Sequence, residues 1–137
     1  MDADLHSILA ADEGPALRVV NANAASPVVI VCEHASNRLP RALGNLGLDE
    51  AALSSHIAWD PGALAVALAL GTALGATFIA ANFSRLAYDC NRPPEAPGAM
   101  PARSEVYEVP GNARLSDAQK QARVQGLYRP FHAAVAD

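Results

Sequence analysis

Hydrophobic residues fall along this chain in short blocks, separated by polar stretches that carry Gly and Pro. Residues 1–26 are polar and Ala-rich, punctuated by Gly14-Pro15, and read as an N-terminal lead-in with one short strand near Leu17–Val20. Pro27-Val28-Val29-Ile30-Val31-Cys32 is apolar at odd and even positions alike. That pattern suits a strand covered on both faces, so it is expected at the centre of a parallel sheet. A polar loop follows, Glu33 to Pro40, and a short helix is expected within Leu46–Ile57. Asp60-Pro61-Gly62 then opens a helix over Ala63–Leu74, with Pro61 in its first turn and Asp60 as its N-cap, or as a carboxylate that instead orients a ligand, binds metal or positions water. Leu64 and Leu68 lie on one face and Val66, Leu70 and Leu74 on another, which predicts a helix buried on most sides. Gly75 is the expected stop.

Ala76–Ala81 reads as a second buried strand, and Leu86-Ala87-Tyr88 as a third, short one. Residues 93–114 hold five prolines and read as one long irregular loop. Ser116-Asp117-Ala118-Gln119 is a capping box for a helix whose apolar face is Val124, Leu127, Tyr128, Phe131 and Val135, with a kink expected at Pro130. The strand–helix–strand order predicts an α/β domain with a mostly parallel central sheet and flanking helices. Residues 27–137 form its body, and no internal repeat is present.

Composition narrows the function classes. The chain has 137 residues, 51% of them hydrophobic, enough for one core and too few for two ordinary domains. Net charge is -4, nine of the ten basic residues are Arg, and Lys120 stands alone. No basic cluster exists, so no nucleic-acid partner is expected. Pro61–Ser84 lacks charge over a bilayer-spanning length, but Ala, Gly and Thr dilute it and no Lys/Arg flank anchors it, so no membrane partner is expected either. The start, Met-Asp-Ala-Asp-Leu-His, is not a secretory signal, which leaves a cytoplasmic location as the expectation.

Three polar loops each follow an expected strand: Glu33–Arg38, Ser84-Arg85 and Asp89–Arg92. In open parallel sheets, ligands gather at such strand ends. His34 could bind a metal or act as a base there, or could be a loop His bonded to backbone. Arg85, Asn91 and Arg92 suit a substrate carboxylate, with an Arg92–Asp89 ion pair as the plainer alternative. Cys32 and Cys90 are expected as small buried apolar residues rather than nucleophiles. His6 is expected in a mobile terminus, His56 near Asp60, and His132 in helix packing or capping.

Val31-Cys32-Glu33-His34-Ala35-Ser36-Asn37-Arg38-Leu39-Pro40, then Ala58-Trp59-Asp60-Pro61-Gly62-Ala63, then Asn82-Phe83-Ser84-Arg85-Leu86-Ala87-Tyr88-Asp89-Cys90-Asn91-Arg92-Pro93 resemble the N-formylglutamate amidohydrolase family in content and order. The resemblance runs over roughly residues 27–137. It implies a fold related to the zinc-dependent carboxypeptidases and removal of formate from N-formyl-L-glutamate, or cleavage of another small N-acyl amino acid, late in histidine breakdown. It implies Zn2+ or another divalent metal on His34, with Asp89 orienting the imidazole. Asn91 and Arg92, helped by Arg85, would hold the substrate carboxylate, and Asp60 joins Asp89 as a catalytic candidate. Asn37 stands where the carboxypeptidases carry a Glu ligand and is not expected to bind metal.

Family members are about twice as long, and their second half supplies a further motif His and Glu. An N-terminal fragment or truncated reading frame is therefore expected, with full activity not expected from these residues alone. The competing expectation is a non-catalytic half-domain that binds a ligand or partner and associates through an exposed sheet edge.

Overall fold

The computed structural model describes residues 7–136. His6 lies outside the described residues.

The main sheet has three strands: β1 (Leu17–Val20), β2 (Val29–Cys32) and β3 (Thr77–Ala81), in the order β1-β3-β2. β3 runs antiparallel to β1, pairing Leu17 with Ala81, and parallel to β2, pairing Cys32 with Ala80. The sheet is therefore mixed, not mostly parallel. The expectation for β2 is also corrected: it is an edge strand, with Val29 48% exposed. A run of Val and Ile looks alike whether one or both sides are paired, because pairing is a non-local property. The central strand is β3, buried at four of its five positions.

Between β2 and β3 lie α1 (Glu50–Ser54), capped by the Asp49 carboxylate on the Ala52 amide, and α2 (Ala63–Leu74). The first is the short helix expected within Leu46–Ile57. The second matches its expected bounds. At its end Gly75 takes φ +60, while the Ala76 amide bonds Gly71 O and the Gly75 amide bonds Thr72 O, so both leftover carbonyls are satisfied. At its start Gly62, at φ +87, is the N-cap residue, so Asp60 is not the side-chain cap that its position suggested. The left-handed turn at Gly62 needs no Cβ and starts the helix without a carboxylate.

Leu64, Ala67 and Leu68 of α2 pack on Ile30, Phe78 and Ala80 of the sheet. Val66, Leu70 and Leu74 are 61%, 47% and 51% exposed, so α2 is buried on one face rather than on most sides. The opposite sheet face carries Ile79 and Ala81 against Phe131 and Ala134. Alternation along β3 thus divides it between two helical layers.

Leu86-Ala87-Tyr88 is a buried turn, not a strand. Ser84 makes it one: its carbonyl accepts the Ala87 amide and its Oγ accepts the Leu86 amide. Residues 93–114 contain a short hairpin, β4 (Arg103–Ser104) with β5 (Tyr107–Glu108), beside short 3-10 turns. Ser116 and Gln119 form the capping box of α3 (Asp117–Arg123). One π turn, Val124–Tyr128, joins α3 to α4 (Arg129–Ala136). The wide turn falls where Pro130 offers no amide to the Gly126 carbonyl. Among the described residues no helix is long and apolar enough to cross a membrane.

Candidate functional site

Backbone and Ser84 bonds draw three distant loops together. The Asp60 amide bonds His34 O at 3.0 Å, the Ser84 amide bonds Arg38 O at 2.7 Å, and Ser84 Oγ donates to Ala58 O at 2.7 Å. Ser84 is 1% exposed, so these bonds form away from water, where they are worth most.

At their junction sits the His34 ring. Nε2 lies 2.7 Å from Asp89 Oδ1, and Nδ1 lies 3.1 Å from Asp60 Oδ2. Both ring nitrogens thus face carboxylates, not backbone. Arg85 spans the same two carboxylates, Nη1 3.5 Å from Asp60 Oδ1 and Nη2 3.3 Å from Asp89 Oδ2. Asp89 is nearly buried and also accepts the Asn91 amide at 3.0 Å. Arg92 Nε stands 3.5 Å from Asp89 Oδ2, so the plainer ion-pair alternative is present too, but half of its side chain faces solvent. Asn91 is exposed beside it.

Burial works against charge on His34, but the hydrogen bond and negative charge of Asp89, joined by Asp60, outweigh it and Arg85, raising its pKa. Burial likewise works against charge on Asp89, yet the His34 hydrogen bond and charge, the Asn91 amide and Arg85 hold its carboxyl below the usual value. A carboxylate at each ring nitrogen thus favours the protonated ring more than burial alone would allow.

The geometry bears on metal binding. Nδ1 and Asp60 Oδ2 are 3.1 Å apart. Two metal bonds of about 2.0–2.1 Å meeting near the tetrahedral angle span about 3.3 Å, so this pair fits two ligand positions on one ion. Asp89 is on the opposite ring nitrogen and supports the imidazole instead. Among the described residues no three His, Cys, Asp or Glu side chains converge on one point. The chain's described residues therefore offer two donors where a catalytic zinc usually has three.

His34 and Asp60 stand at one end of an open cleft of about 540 Å³ between β2 and α2, walled by Ile30, Val31, Val66 and Leu70, with Glu33 on its rim. Burial first, then Glu33 and Asp60, raise the Cys32 thiol, and burial pushes Cys90 up to about 12, so neither supplies a thiolate. His56 pairs with Glu105 at 2.9 Å rather than approaching Asp60. His132 stacks on Tyr128, as a packing role requires. Asn37 donates its amide to Leu53 O and plays a structural part.

Two features escaped sequence reasoning. The apolar cleft wall did, because Val66 and Leu70 read as core. So did the buried Arg123, although its place four residues before Leu127, on the apolar stripe of its helix, marks it as an unusual Arg.

An imidazole held between two carboxylates, with guanidinium groups beside it at strand ends of an α/β fold, is a candidate active site. Residues 26–137 match the N-formylglutamate amidohydrolase family, and the chain belongs to it. A solved structure, the gene product Atu2144 from Agrobacterium tumefaciens, shares 53% identity and a TM-score of 0.91, over 94% of this chain and 51% of that one. The chain thus spans about half the length of that protein. No curated protein matches it.

Proposed function

We propose that this chain carries the metal-binding and carboxylate-binding part of an amidohydrolase that splits the formyl C–N bond of N-formyl-L-glutamate, or of a closely related N-acyl amino acid. Water adds to the formyl carbon, the C–N bond breaks, formate leaves, and the amine nitrogen takes up a proton. The observation that carries this reading is the His34 ring bridging Asp60 and Asp89, with Arg85 touching both carboxylates.

His34 Nδ1 and Asp60 would hold Zn2+ or a similar divalent ion, completed by ligands outside the described residues. When bound, the ion supplies a Lewis acid for the carbonyl and an acidified water. The chain's own residues do the rest. Asp89 fixes the ring's orientation and tautomer through Nε2. Arg92 and Asn91, both exposed beside Asp89, bind the substrate carboxylate, and Arg85 anchors the two aspartates from behind.

The reading includes a fold related to the zinc carboxypeptidases, a part in histidine breakdown and a cytoplasmic location. Two unpaired cysteines suit a reducing compartment.

Calorimetric titration with N-formyl-L-glutamate tests the carboxylate role. Losing a charge-assisted hydrogen bond removes about 1.5–3 kcal/mol, so Arg92→Ala should weaken binding by about 10- to 150-fold. Equal affinity in the variant would refute it. A second reading, a non-catalytic half-domain that associates with copies of itself, is favoured by the exposed Val66, Leu70 and Leu74 beside the β2 edge.

A further inference from the structure

Arg123 is 1% exposed, and among the described residues no carboxylate pairs with it. Its Nη1 donates to Ala87 O at 3.1 Å and to Asn112 Oδ1 at 2.6 Å, and its Nε has no partner. The Asn112 amide in turn donates to Leu86 O at 2.9 Å and to Pro101 O at 2.8 Å. Burial lowers the guanidinium pKa to about 10, which still leaves it charged at neutral pH. Burying a charge without a counter-ion is costly, and a well-packed apolar side chain serves stability better. The location of its acceptors says what the charge does instead. Leu86 and Ala87, each 0% exposed, are the middle of the turn whose flanks are Arg85 and Asp89.

We infer that Arg123, acting with Asn112, is a positioning residue: it clamps the Leu86 and Ala87 carbonyls and so holds Arg85 and Asp89 in register with His34. The turn has no strand ladder to fix it, so these bonds, those of Ser84 and the 2.8 Å bond of the Asp89 amide to Ala99 O set its shape. The functional half of this inference rests on the proposed carboxylate-binding role of the Asp89–Arg92 loop. The structural half does not.

The test pairs two measurements on the chain and its Arg123→Met and Arg123→Lys variants. One is amide hydrogen exchange by mass spectrometry, the other calorimetric binding of N-formyl-L-glutamate. Arg123→Met should speed exchange across residues 84–92 by about tenfold or more while β3 and α2 keep their protection. It should also weaken binding by about tenfold. Arg123→Lys, which keeps the charge and can reach one carbonyl, should recover part of both. Exchange that is unchanged, or that rises equally in β3 and α2, overturns the inference, because it means no role or a merely global one. If Arg123→Met does not fold, Asn112→Ala decides in the same way: a selective rise over 84–92 supports the clamp and a uniform one overturns it. If the unaltered chain binds no N-formyl-L-glutamate, the substrate reading falls, and the exchange pattern still decides the role of Arg123.

Discussion

At the scale of single residues, the His34–Asp89 pair sets the pH response. Asp89 titrates below its ordinary value of 3.8 and His34 above its ordinary 6.5. A lowered carboxylate contributes stability that is present above 3.8 and is lost as pH falls through the folded value. A raised imidazole contributes stability that is fully present below 6.5 and is lost as pH rises through the folded value. The pair therefore predicts greatest stability between these two ordinary values, with losses on both sides, in urea denaturation followed across pH. Asp89→Asn should remove the effect and cost about 3–5 kcal/mol, as when one partner of a buried ion pair is deleted. A variant whose stability keeps the pH profile of the parent would show that the pair is not its source. His34, Asp60 and Asp89 lie 26 and 55 residues apart in sequence, so no local pattern could join them. The strand-end loops brought His34 and Asp89 together, and the likeness to a family added Asp60. Asp60 shows the limit from the other side. Its position before Pro61 reads as a cap on local grounds, and its carboxylate is turned to His34 instead because Gly62 already starts the helix.

At the scale of elements, what the sequence made legible was what is decided locally. α2 ends where Gly75 can turn left-handed, and α3 begins where Ser116 and Gln119 exchange hydrogen bonds. Leu86–Tyr88 was illegible because three apolar residues bury as well in a turn as in a strand, and the Ser84 side chain chose the turn. The π turn follows from Pro130, but its packing does not. A Cβ on Gly126 would overlap Ile8 Cγ2, so the lead-in segment rests on the bare backbone of that turn. Gly126→Ala is therefore expected to destabilise the chain by about 1–3 kcal/mol, although Ala is the better helix former by about 1 kcal/mol. Thermal denaturation distinguishes the two: a raised Tm would mean that helix propensity wins and that the contact with Ile8 yields.

At the scale of the whole molecule, the sheet has only one inner strand. β3 is paired on both edges, while among the described residues β1 and β2 each have one edge without a strand partner, and that of β2 lies beside the apolar outer face of α2. A free edge next to an apolar cleft is a template for pairing, and identical copies carry identical edges. The same cleft ends at His34 and Asp60, so whatever covers β2 also borders the site. Light scattering on the purified chain should then show association that grows with concentration. Leu70→Asp or Val66→Asp should reverse it, since both side chains are exposed and a charge there disrupts no core contact. A parent chain that stays monomeric at high concentration would mean that the Val66–Leu70–Leu74 face tolerates water unaided. A parent that associates just as strongly with either Asp in place would put the contact elsewhere than β2 and α2.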